Sequence, residues 1–154
     1  MIQLVVDSTA AVPKDFLEQH ANVHVIPLFI SVKGEYVPEN EATIEQVIEY
    51  SESTKKAVPT SQPSTGDFLK LFESLPKEDP IIVICITSGV SGTYNGAVLA
   101  ARQSGRKQIA VINSRTTAVG MMEVLEDGLD MIEKGLSFEE ISKGLQESAS
   151  LMRT

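Results

Sequence analysis

The chain has one cysteine, two histidines and no run of about 18 apolar residues, and each scarcity removes a class of function. Cys85 stands alone, so an internal disulfide and a cysteine-spaced metal site are both excluded. Its place inside an apolar run reads as a small buried hydrophobe rather than a reactive thiol. His20 and His24 both fall early, His20 as an exposed helix end and His24 as a strand position, which leaves a Ser–His–Asp set without its base. Lysine and arginine total 13 against 21 acidic residues, a net charge of -8, and no basic patch is present to neutralise nucleic-acid phosphates. There is no Walker loop and no GxGxxG; Gly89-Val-Ser-Gly92 has neither the spacing nor the lysine. Met1-Ile-Gln lacks the basic region of a signal peptide, so the expected location is cytoplasmic and the protein is not expected to be an integral membrane protein. No repeat or low-complexity segment interrupts the chain.

What is present is a core-forming α/β pattern. With 154 residues, 42% of them hydrophobic, one compact domain over residues 1–154 is expected. The stretch Ile81–Tyr94 sets the pattern: an apolar strand runs into a Ser/Gly/Thr turn, and a helical pattern through Ala97, Val98, Ala100 and Ala101 follows to about Arg102. Ile2–Val6 and Gln108–Ile112 read as further buried strands, ended by Asp7-Ser8-Thr9 and Asn113-Ser114-Arg115. Val23–Val32 is β-rich, but Pro27 makes it an edge strand or breaks it. Tyr36–Asn40 reads as irregular, and Ser53–Ser64, with its two prolines, as a long loop. Pro13 opens a short helix over Lys14–His20. Helix starts are marked at Thr43-Ile-Glu-Gln46, Ser64-Thr-Gly-Asp67 and Ser137-Phe-Glu-Glu140. A long helix over Thr117–Lys134 stops at Gly135. The alternation predicts a parallel sheet with helices on both faces, and ligands in such folds sit at the carboxyl ends of the strands.

Neutral hydroxyls concentrate on that rim: Thr60, Ser61, Ser64, Ser88, Ser91 and Thr93. Helix capping explains Ser64, but not why Thr60-Ser61 occupies a proline-flanked loop. Hydroxyls together with helix N-terminal amides suit a carboxylate or phosphate without a lysine or arginine. No nucleophile is assembled with a base, and no catalytic or metal-ligating set emerges.

At these residues the chain resembles the DegV family of fatty-acid-binding proteins. The matching pieces are Val6-Asp7-Ser8-Thr9, Pro27-Leu28, Pro59-Thr60-Ser61-Gln62-Pro63-Ser64, Ser88-Gly89-Val90-Ser91-Gly92-Thr93-Tyr94 and Val111-Ile112-Asn113-Ser114. The resemblance implies the α/β parallel-sheet sandwich of a DegV N-terminal domain, with the family's second, C-terminal domain absent. It implies a long-chain fatty acid such as palmitate as ligand, and no cofactor. Its carboxylate would be held by Thr60, Ser61, Ser91 and the Gly92 amide, with Ser8, Thr93 and Ser114 as additional candidates. It also implies a separate fatty-acid kinase as partner, to which the ligand is presented for acyl-phosphate formation, so that the chain itself is not the catalyst. The chain departs from the family pattern at Asn113, where an aspartate usually precedes the serine.

Burying a tail is worth about 0.8 kcal/mol per methylene, so the tail supplies most of the affinity. A domain with a radius of gyration of about 15 Å encloses such a tail poorly while keeping its own core. Weak or no fatty-acid binding is therefore expected of this chain alone. Two alternatives stay open: a small serine-dependent hydrolase or transferase using Ser91 or Ser61, and a structural half acting only with a partner domain. An exposed apolar patch around Leu28 and Phe29 would mark the second.

Overall fold

The computed structural model describes residues 1–7, 12–27, 29–32, 35–38, 60–61, 63–85, 93–114 and 118–151. Its elements are β1 (Gln3–Asp7), α1 (Lys14–Gln19), β2 (Val23–Ile26), β3 (Phe29–Val32), β4 (Glu35–Pro38), β5 (Thr60–Ser61), α2 (Thr65–Ser74), β6 (Ile81–Cys85), α3 (Thr93–Ser104), β7 (Ile109–Asn113), α4 (Ala118–Glu133) and α5 (Phe138–Leu151).

Four parallel strands run in the order β2-β1-β6-β7, with Leu4 beside both Val23 and Ile82, and Ile82 beside Ala110. Every residue of β1 and β6 is buried, as two-sided burial requires of central parallel strands. Alternate side chains feed two cores. Leu4, Val6, Ile82, Ile84 and Ile112 pack with Met121, Val124, Leu125, Ile141 and Leu145 of α4 and α5. Val5, Ile81, Val83 and Cys85 pack on the other face with Phe68 and Phe72 of α2 and with Ala97 and Ala100 of α3. The α/β sandwich read from the sequence is thus the architecture observed.

The chain order makes a switch point. From β1 the connection steps to β2 through α1, whose Phe16 and Leu17 join the first core. From β6 it steps the opposite way to β7 through α3, on the other face. Crossovers of one hand stepping in opposite directions must place their helices on opposite faces. The crevice between the carboxyl ends of β1 and β6 is where such a sheet takes ligands.

Two helix starts bear out their sequence signals. Ser64 Oγ accepts from the Asp67 amide at 3.0 Å while the Ser64 amide donates to Asp67 Oδ2 at 2.9 Å. Ser137 and Glu140 exchange the same pair at 3.2 and 3.1 Å. Gly135, at φ 79°, closes α4: its amide donates to the Ile132 carbonyl, and the Leu136 amide donates to that of Met131. The helix expected from Thr43 lies outside the described residues.

One expectation is extended and two are corrected. The break expected at Pro27 is observed, between β2 and β3, but the two halves were not expected to join different sheets: β3 lies between β4 and β5 in a second, antiparallel sheet. Tyr36–Pro38, read as irregular, belongs to β4; Pro38 pairs opposite Phe29 on an edge strand, where a missing donor is tolerated. Thr60-Ser61, read as loop, is β5, paired through Ile30 and Phe29.

Candidate functional site

Among the described residues, the carboxyl rim of the parallel sheet carries the most deeply buried polar side chains. Asp7, Thr93 and Ser114 are each fully buried. Asp7 ends β1, beside Ile26 of β2. Thr93 is the first residue of α3, which follows β6. Ser114 follows β7, and its amide donates to the Cys85 carbonyl at 3.0 Å, tying the exit of β7 to the end of β6. Asn113 faces Cys85 across the same pair of strands. Cys85 is wholly enclosed; burial first, and the Asp7 charge second, push its thiol well above the ordinary cysteine range. It remains a thiol and packs as the hydrophobe its sequence position suggests.

The second sheet delivers Thr60 and Ser61 towards the same region. Two residues after β5, Pro63 is buried, and a Cβ added at Gly96 would lie 3.9 Å from the Pro63 carbonyl oxygen. Pro63 of TSQPS therefore lies against the first turn of α3, which opens with the Thr-Tyr of SGTY. Thr60, Ser61, Thr93 and Ser114 are placed; Ser8, Ser91 and Gly92 lie outside the described residues, as does Leu28 of the apolar patch expectation. Among the described residues, no group of at least three His, Cys, Asp or Glu is placed to hold a metal. The sequence set Asp7 in the polar turn Asp7-Ser8-Thr9 after the first strand and in the family match; the full burial of its side chain was not read from it.

Both histidines are engaged elsewhere. His20 is half-buried rather than exposed, stacked on Phe16 with ring centroids 4.3 Å apart, and its Nδ1 lies 2.8 Å from the Phe16 carbonyl. His24 Nε2 lies 2.8 Å from Gln3 Oε1, and burial lowers its pKa. A cleft of about 720 Å³, lined by Phe72, Glu73, Asp79, Ser104, Arg106 and Gln108, opens at the amino end, away from the rim. A smaller hollow of about 350 Å³, lined by Val25, Ile26, Pro27 and Leu71, lies beside the end of β2. No helix among the described residues is long and apolar enough to cross a membrane.

The described residues define a doubly wound α/β protein, with Asp7, Thr93 and Ser114 buried at the carboxyl rim of its sheet. The DegV family model, described as an uncharacterised protein family, matches residues 1–154, and the chain belongs to that family. It is 37% identical over 144 residues to a DegV domain-containing protein of Staphylococcus aureus strain COL, covering 92% of this chain and 50% of that one. It is 30% identical over 151 residues to the fatty acid-binding protein of Thermotoga maritima, covering 95% of this chain and 52% of that one. The crystal structure of DegV, a fatty acid binding protein from Bacillus subtilis, superposes with a TM-score of 0.84 at 31% identity, over 97% of this chain and 54% of that one. The chain spans about half the length of these relatives.

Proposed function

We propose that the rim holds the carboxylate of a long-chain fatty acid such as palmitate. In this reading the hydroxyls of Thr60, Ser61 and Ser91 and the Gly92 amide donate to it, and Thr93 and Ser114, with Ser8, back them. The observation that carries the reading is the approach of Pro63 to Gly96, which draws the TSQPS segment onto the start of α3. The fatty-acid-binding relatives support the ligand class. Residues 1–154 act as one α/β domain, and a second α/β domain completes the tail pocket. The bound acid is presented in the cytoplasm to a separate kinase that forms the acyl phosphate; the chain binds and does not catalyse.

Amide NMR titration of the chain with decanoate tests the reading, because it detects the weak binding expected when the tail is only partly enclosed. Shifts should cluster at residues 60–64 and 91–96, and Ser61→Ala and Ser91→Ala should each weaken binding about tenfold, the loss of one charge-assisted hydrogen bond. Shifts confined to the amino-end cleft, or a thermal shift of several degrees with micromolar palmitate, would contradict the division of roles between head group and tail.

A further inference from the structure

Met131 holds the α4–α5 hairpin from two sides. Its carbonyl accepts the Leu136 amide at 3.2 Å, the bond that closes α4 across Gly135. Its side chain reaches the other way, onto α5. A Cβ added at Gly144 would stand 3.2 Å from Met131 Sδ and 3.1 Å from its Cε, tighter than an ordinary contact, so the bare glycine leaves the thioether its place. Met131 and Leu136 pack against the first core, which α5 closes with Ile141, Leu145 and Ala149, each wholly buried. Met131 and Gly144 are themselves only half-buried, so their contact lies at the water-facing edge of the helix pair. Met121, on the same helix, is fully buried.

We propose that Met131 is a peroxide-sensitive residue whose oxidation to the sulfoxide loosens α5 from α4. The sulfur lone pair attacks one oxygen of hydrogen peroxide, and the O–O bond breaks as the S–O bond forms. The hydroxide released takes the proton of the transferred oxygen and leaves as water; sulfur loses two electrons and the peroxide gains them. The product is polar and larger by one oxygen. On Gly144 that oxygen must either sit without a hydrogen-bond partner or push the helices apart, and both weaken the contact. Further along the pair, Ser148 donates to Asp127 at 2.8 Å and ties the end of α5 to α4. Loosening should therefore begin in the first half of α5, at residues 138–145.

Hydrogen peroxide is the probe, applied to the unmodified chain and to Met131→Leu, a swap of similar volume without sulfur. Peptide mass spectrometry should show Met131 oxidised at least about tenfold faster than Met121. In the oxidised chain, amide hydrogen exchange at residues 138–145 should rise about tenfold while that of β1 and β6 is unchanged, and methionine sulfoxide reductases should reverse the rise. Met131→Leu should show no such rise. Met122→Leu, which removes the other half-buried methionine of α4, should show it in full. Oxidation of Met131 as slow as that of Met121 overturns the proposal, as does an oxidised Met131 with unchanged exchange. A rise that persists in Met131→Leu overturns it too. If Met131→Leu does not fold, the time course in the unmodified chain decides. Exchange that climbs in step with the Met131 sulfoxide supports the proposal, and exchange that follows the Met122 sulfoxide instead overturns it.

Discussion

The two ends of the parallel sheet both hold buried polar groups, but they use them differently. At the amino end the polar atoms are tied to one another. Gln3 Nε2 donates to Asp79 Oδ2 at 2.9 Å, and Gln3 Oε1 meets His24; Asn22 Nδ2 donates to the Ile2 carbonyl at 3.1 Å. Arg106 donates to the carbonyls of Phe72, Leu75, Pro76 and Asp79 at 2.6–3.2 Å, so the guanidinium closes the C-terminus of α2. At the carboxyl end, by contrast, strand ends, a helix start and a segment of the second sheet converge around Asp7, Thr93 and Ser114. Among the described residues the amino end shows the denser polar bonding, and its cleft of about 720 Å³ exceeds the hollow of about 350 Å³ beside β2. The meeting of a strand end, a helix start and Pro63 is what supports the proposal that the other end takes the ligand.

The contrast is broken most forcefully at Arg106. Arg106→Met keeps much of the stem and removes every bond to the carbonyls. The expected loss is about 2–4 kcal/mol, reduced from the sum of four charge-assisted bonds because the group is partly solvated. Urea unfolding measures it, and decanoate binding at the rim should be unchanged. A binding defect larger than the stability loss explains would mean that the amino-end cleft takes part in recognition.

Much of this division was legible in the sequence because it is written locally. Apolar strands beside capping boxes fixed the parallel sheet and its helices, and Gly135 marked the end of α4 by the positive φ it adopts. The second sheet was not legible. Thr60 and Ser61 form a strand only by pairing with Ile30 and Phe29, about thirty residues earlier, and two residues carry no periodicity. Pro38 argued against a strand until β4 proved to be an edge. Within the site, the hydroxyl motifs were readable as motifs, whereas the burial of Asp7 follows from the order of strands, which no local spacing encodes. Arg106 was likewise invisible: its partners lie 27 to 34 residues away.

A smaller effect sharpens the comparison at the start of α2. Ser64→Ala removes one half of the capping box and should cost about 1 kcal/mol in urea unfolding. Because Ser64 follows Pro63, the loosened helix start should also weaken decanoate binding, by less than Ser61→Ala does. Equal stability loss with intact binding would show that the TSQPS segment holds its place without the cap.

The smallest expected effect lies at the amino end, in its response to protons. Burial disfavours the charged form of His24, so its folded pKa lies below the ordinary value near 6.5. The unfolded chain therefore takes up the proton first. Stability should be complete above about pH 6.5 and decline as pH falls below it towards the folded value. Asp79, held below its usual range first by the bond from Gln3, adds a further loss only at more acidic pH, below its unfolded value of about 4. His24→Gln keeps a neutral donor in reach of Gln3 and should flatten the upper part of the profile. An unchanged slope would move the titrating group elsewhere.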